Sequence, residues 1–112
     1  MSETPLLWNK EKALARMMGK QALLDKVTTL FLAQFPSVWA STKSDLEQRN
    51  WAQVKAQSHT LKGSAAELGL EALAAALFSL EQAAASQDEA QASEAQIQTE
   101  SVSEQTLTIL NK

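Results

Sequence analysis

Hydrophobic positions recur at steps of three and four along most of the chain, the spacing that gathers apolar side chains on one face of a helix. A first segment, about residues 6–18, places Leu7, Leu14 and Met18 at that spacing, and Gly19 then supplies the conformation in which helices commonly stop. From Gln21 the positions Leu23, Leu24, Val27, Leu30, Phe31 and Phe35 predict a longer helix packed on one side. Pro36 lacks a backbone donor and crowds the carbonyl of Leu32, which predicts a kink or a restart. Val38, Trp39, Ala40 and Leu46 carry the apolar stripe on to about Gln48.

Asn50 followed by Gln53 has the form of a capping box and opens a helix expected from Trp51 to about Leu68. Gly69 punctuates, and Leu70 to Ser86 forms a fourth apolar-rich helix carried by Leu73, Leu77, Leu80 and Ala84. Asp88 with Gln91 caps a last helix, whose seam of Ala92, Ala95, Thr99, Val102, Thr106 and Ile109 is narrow within a Gln/Ser/Glu-rich stretch. That helix is expected to pack, with a frayed middle or end. No internal repeat or linker interrupts the series. The expected fold is all-α: an antiparallel four-helix bundle over residues 20–112 with an additional short N-terminal helix over 1–19, in one domain spanning 1–112.

Composition narrows what such a bundle does. A chain of 112 residues, 45% hydrophobic and 21% charged, has the make-up of one soluble domain, and having only three Gly and two Pro favours helices throughout. The absence of cysteine excludes disulfides, thiolate metal sites and cysteine nucleophiles, and makes the cytoplasm the expected compartment. No apolar run approaches the roughly 20 residues that cross a bilayer, and MSETPLLWNK lacks the form of a secretory leader, so neither membrane insertion nor secretion is expected. A net charge of -3 without a Lys/Arg cluster argues against nucleic acid as a partner.

One stretch departs from the leucine pattern. QSHTLKGSAAELG, residues 57–69, holds the chain's only histidine. At about 100° per residue, Val54, Ala65 and Leu68 fall near Leu61 on the buried side, whereas His59 falls roughly 160° away. Its neighbours on that outer face are Ala52, Ala56, Gly63 and Ala66. Exposed helical surface normally carries Glu, Lys and Gln, and a glycine inside a helix costs about 1 kcal/mol relative to alanine. Gly63 is therefore expected where another surface approaches the backbone closely. Lys62, at i+3, projects back toward the imidazole and favours an anionic adduct there, and Lys55, at i-4, flanks the ring from the other side.

A lone histidine without cysteine cannot converge enough ligands for zinc, so no metal site is expected. A convex helix face offers no pocket that excludes water and holds substrate, which argues against a conventional enzyme. An exposed imidazole is largely neutral near pH 7, and its free nitrogen is a nucleophile toward an activated phosphoryl group.

The run His59-Thr60-Leu61-Lys62-Gly63-Ser64-Ala65, followed by Leu68-Gly69, resembles the signature of histidine-containing phosphotransfer (HPt) domains of bacterial multistep phosphorelays. The similarity extends from LFLAQFPSVWASTKSDL through NWAQVKAQSHTLKGS to LFSLEQAA and weakens after about Ser86. The resemblance points to the type found at the C-terminus of hybrid sensor kinases. It implies a phosphocarrier without kinase activity, in which His59 accepts a phosphoryl group on Nε2 from a receiver-domain aspartyl phosphate and passes it to another receiver. Lys62 would balance the phosphoryl charge and Gly63 would admit the receiver. Glu81 matches a position where related domains often place Glu or Gln, and its carboxylate would fix the tautomer that leaves Nε2 free. Ser64 also matches the motif but faces sideways, where it serves the helix backbone. Glu67 departs from the small or amide residue usual there.

No cofactor is expected in the domain itself; magnesium would come with the receiver. The expected partners are response-regulator receiver domains and a hybrid sensor histidine kinase, in cis or in trans, for a monomeric carrier. The rival reading is a helical adaptor that binds receiver or kinase domains by contact alone, without phosphorylation.

Overall fold

The computed structural model describes residues 5–111. Every regular element among them is a helix: α1 (Lys10–Arg16), α2 (Gln21–Glu47), α3 (Trp51–Glu67), α4 (Glu71–Ser86) and α5 (Glu89–Leu110). The most extensive packing is α3 on α4 and α4 on α5, while α2 lies against α3 and also meets α5, so the four long helices enclose a common interior.

That interior follows from the apolar stripes. Leu24 and Phe35 of α2, Val54 of α3 and Leu73, Leu77 and Leu80 of α4 are almost wholly buried, joined by Leu68 and Leu70 from the α3–α4 turn. Burying one such side chain stabilises the fold by roughly 1.5–3 kcal/mol. Leu23 and Leu30, expected on the same stripe, are instead 43% and 50% exposed, because the buried face of α2 is the narrower line of Leu24, Phe31, Phe35, Trp39 and Thr42. Ala40 likewise faces outward.

Pro36 does not restart the helix: α2 runs through it as one element of 27 residues. The proline is exposed, and the rings on either side of it stack across its position, Phe31 on Phe35 at 5.3 Å and Phe35 on Trp39 at 6.4 Å between centroids. Packing of that aromatic row offsets the missing hydrogen bond. The row ends in a polar anchor on α5, where Trp39 Nε1 donates to Glu100 at 2.9 Å and Lys43 reaches the same carboxylate at 2.8 Å. Arg49 then pairs with Glu89, so contacts that advance along α2 retreat along α5.

The ends of the elements depart from expectation in three places. Asn50 does not close a capping box; its side chain makes no bond to α3 and donates instead to Asp45 Oδ1 at 3.0 Å, tying α3 to the end of α2. The last helix does not fray: α5 is continuous to Leu110, capped by the Asp88 side chain on Gln91 N at 3.0 Å. Its seam includes Ser103 and Leu110, with Ile109 only half-buried. The hydroxyls of Ser58, Thr99 and Thr106 each donate to a carbonyl one turn back on their own helix, which lets these polar side chains occupy the interior.

The leading helix is shorter than the apolar spacing implied, because residues 5–9 are committed elsewhere. Trp8 Nε1 donates to Leu68 O at 3.0 Å, Asn9 N to Gly69 O at 2.7 Å, and Ala72 N to Leu6 O at 2.8 Å. The Glu71 carboxylate accepts from Leu6 N and from Asn9 Nδ2. Asn9 then caps α1, accepting from Lys12 N. Gly69 has a left-handed φ of +75°, and a Cβ there would collide with the Asn9 carbonyl oxygen. Ala13 and Met17 bury this helix, whereas Met18 is 83% exposed.

Candidate functional site

The α3 helix divides into two faces. Val54, Ser58, Leu61 and Ala65 are buried against its neighbours, and Ala52, Lys55, Ala56, His59, Gly63 and Ala66 are exposed. The His59 side chain is 67% exposed at the edge where α3 meets α4.

Across that edge stands Glu81, next in sequence to the fully buried Leu80 and therefore on the flank of the α4 core stripe. Its Oε2 is 3.0 Å from His59 Nδ1, and its Oε1 accepts from Lys62 Nζ at 2.8 Å. The Lys62 ammonium also lies over the Phe78 ring, 5.0 Å from the centroid. Phe78 is one turn before Glu81 and 46% exposed. One carboxylate thus joins the imidazole, the ammonium and, through the ammonium, an aromatic face.

The Lys62 ammonium, and after it the His59 ring, hold the Glu81 carboxyl below its ordinary value despite partial burial. Glu81 is then a carboxylate at neutral pH and can only accept hydrogen bonds. Facing it, Nδ1 carries the proton, and in the neutral ring the lone pair is on Nε2.

The structure brings together His59, Lys62 and Glu81 and does not bring Lys55 to them; Lys55 is exposed and joins no ion pair among the described residues. Ala52, Ala56, Gly63 and Ala66 share the outward face. A Cβ built at Gly63 meets nothing within 4 Å, so the chain's own packing does not require glycine there. Ser64 Oγ donates to Thr60 O at 3.3 Å, within its own helix. Glu67 is exposed and borders a hollow of about 310 Å³ between α2 and α3, with Leu30, Val38, Thr60 and Ser64. Phe78 was not legible as a site residue; its one signal in the sequence is a large apolar residue displaced from the leucine stripe three positions before Glu81. Among the described residues no group of three or more His, Asp or Glu side chains is placed to hold a metal.

A family model described as Hpt domain matches residues 26–110, about three quarters of the chain. The chain belongs to the Hpt domain family. Hpt domains carry a phosphoryl group on a histidine in phosphorelays, have no kinase activity of their own and interact with receiver domains. The Hpt match begins in the second turn of α2 and runs to the last residue of α5, so α1 lies outside it. No curated protein and no solved structure matches the chain. Among the described residues of this Hpt chain, no helix is long and apolar enough to cross a membrane.

Proposed function

We propose that His59 is the phosphoacceptor of this Hpt domain. The observation that carries the reading is that the chain's only histidine stands exposed on α3 with Nδ1 held 3.0 Å from Glu81, which leaves Nε2 as the free nucleophile. The Nε2 lone pair attacks the phosphorus of a receiver's aspartyl phosphate. As the N–P bond forms, the P–O bond to the aspartate breaks and the carboxylate leaves with its electron pair. The Nδ1 proton stays on the ring, facing the Glu81 carboxylate, which offsets the charge the ring gains. The reverse sequence on a second receiver passes the group on.

Lys62 acts as the counter-charge of the phosphoryl group, since its ammonium is already beside the ring through Glu81. Lys55, one turn earlier on the exposed face, adds a second cation. Gly63, Ala52, Ala56 and Ala66 form the face on which the receiver docks, and their small size lets its catalytic end come close to α3. Magnesium and the acidic pocket belong to the receiver, and no cofactor is assigned to this chain. The scaffold is an antiparallel four-helix bundle with the leading helix appended, one domain over 1–112, working as a monomer in the cytoplasm. Its place is that of the carrier of a hybrid sensor kinase, of the type at that kinase's C-terminus, in cis or in trans.

Wild-type and His59→Gln proteins incubated with a phosphorylated receiver and magnesium, and followed by intact mass at neutral and acid pH, test the reading. One acid-labile phosphate on wild type alone is expected. Receiver binding without phosphate on either protein would overturn it in favour of a contact-only adaptor.

A further inference from the structure

We infer that α1, the helix outside the Hpt match, forms one edge of the receiver-docking face and that Lys12 and Arg16 select receivers carrying a carboxylate opposite them. The inference rests on the docking role proposed for the His59 face. Arg16 donates through Nη1 to the backbone carbonyl of Ala66, and Lys12, one turn earlier, lines the same shallow hollow with Ala66, Gly69 and Ala74. Ala66 is seven residues beyond His59, two turns along the same side of α3 and about 10 Å from it along the axis. A surface laid over His59 and Gly63 therefore reaches these two cations at its margin.

Three observations make this edge a built feature. Its position is specified: hydrogen bonds from Leu6, Trp8 and Asn9 to Leu68, Gly69 and Glu71, with one from Ala72 N to Leu6 O, fasten the leading segment to the α3–α4 turn, and Gly69 leaves the space that the Asn9 carbonyl occupies. Its charge is not closely paired: among the described residues neither Lys12 nor Arg16 has a carboxylate within 4.0 Å, and Glu71, which lines the same hollow, acts on both only from farther off. The neighbouring Glu71 gives its oxygens to Leu6 N and Asn9 Nδ2. Finally, the edge lies apart from the chemistry, because Lys12 and Arg16 are on a different helix from His59, Lys62 and Glu81. Cations at the rim of an interface act on encounter and on partner choice more than on the step at its centre. The fitting partner is a receiver with an Asp or Glu on the side of its phosphorylation site that packs over Ala66.

The test uses the full chain and a panel of receiver domains phosphorylated with acetyl phosphate and magnesium. Transfer to wild type, Lys12→Glu and Lys12→Glu/Arg16→Glu is timed at limiting and saturating carrier, in low and high salt. For a receiver with the matching carboxylate, kcat/KM of the double variant falls about tenfold at low salt with kcat unchanged, and the difference vanishes near ~0.5 M salt. Lys12→Glu, whose side chain makes no capping or anchoring bond, shows the same trend, and its Tm, read beside transfer, separates lost docking from a loosening of α1 next to Glu71. Replacing the receiver's carboxylate by Lys restores transfer to the double variant. If wild type accepts phosphate and both variants keep kcat/KM within twofold on every receiver that serves it, the inference is wrong. If wild type accepts phosphate from none, the carrier reading itself fails.

Discussion

His59 and Glu81, 22 residues apart and on different helices, face each other with Nδ1 and Oε2 3.0 Å apart while the other carboxylate oxygen holds Lys62. The carboxylate therefore acts on the ring and on the nearest cation at once.

Removing it releases both, and the tautomer of the ring reports on the first. A hydrogen bond to a charged group contributes roughly 1.5–3 kcal/mol, and with the imidazole two-thirds exposed the lower end applies. In Glu81→Ala we expect phosphate acceptance by His59 to slow about tenfold, which corresponds to ~1.4 kcal/mol in the barrier. The Nδ1-H signal of His59 in nitrogen-15 NMR spectra should at the same time give way to a tautomer mixture. An unaltered tautomer in the variant would show that Glu81 does not orient the ring.

Gly63 offers a test in which stability and docking move in opposite directions. A Cβ there meets nothing within 4 Å, so Gly63→Ala should stabilise α3 by up to about 1 kcal/mol, raising Tm by at most roughly 5 °C. Gly63→Gln should also keep the fold, yet weaken receiver affinity measured by calorimetry, because its bulk stands where the partner backbone comes close. Undiminished affinity would remove Gly63 from the docking face.

The two other glycines have the same φ of +75° and different surroundings. Gly19→Ala meets open space and should cost about 1 kcal/mol for the left-handed backbone alone. Gly69→Ala should cost about 2 kcal/mol or more, since it adds a collision with the Asn9 carbonyl oxygen to the same backbone strain. Thermal melts of the two variants compare them directly. Equal losses would mean that the leading segment is not seated against the α3–α4 turn.

Acid should weaken the anchor between α2 and α5. The Lys43 ammonium, followed by the Trp39 indole N–H, holds the Glu100 carboxyl below its ordinary value of 4.5. A carboxyl with a depressed folded value contributes stability that is fully present above that ordinary value and is lost as pH falls through the folded one. Tm of wild type should accordingly drop between about pH 4.5 and the folded value, and Glu100→Gln should show a shallower decline over the same window. Parallel curves would exclude Glu100 as a contributor. The side chain is 41% exposed, so the effect should shrink in high salt.

The long helices and the outward direction of His59 were legible because both follow from periodicity within a single segment: Leu73, Leu77 and Leu80 are buried as their spacing requires, and His59 lies opposite Leu61. What escaped depends on partners far away in the chain. Residues 5–9 carry apolar side chains at helical spacing, yet their hydrogen bonds go to residues 68–72. Asn50 has the right neighbours for a cap and a better partner in Asp45. The same holds at the site, where the direction of Lys62 along its own helix was readable but its capture by Glu81 and Phe78 on α4 was not. In α5, polar residues concealed a seam that is apolar in practice, since the Thr99 and Thr106 hydroxyls are satisfied one turn back and leave their methyl groups to the interior.

The imidazole's partner comes from beyond the Gly69 turn, so the contact between them exists only when α3 and α4 are docked. A copy caught half-made, or loosened by heat or a clipped chain, shows its partners a plain surface histidine with its tautomers scrambled. The orientation of the ring is thus a property of the docked helix pair rather than of α3 alone.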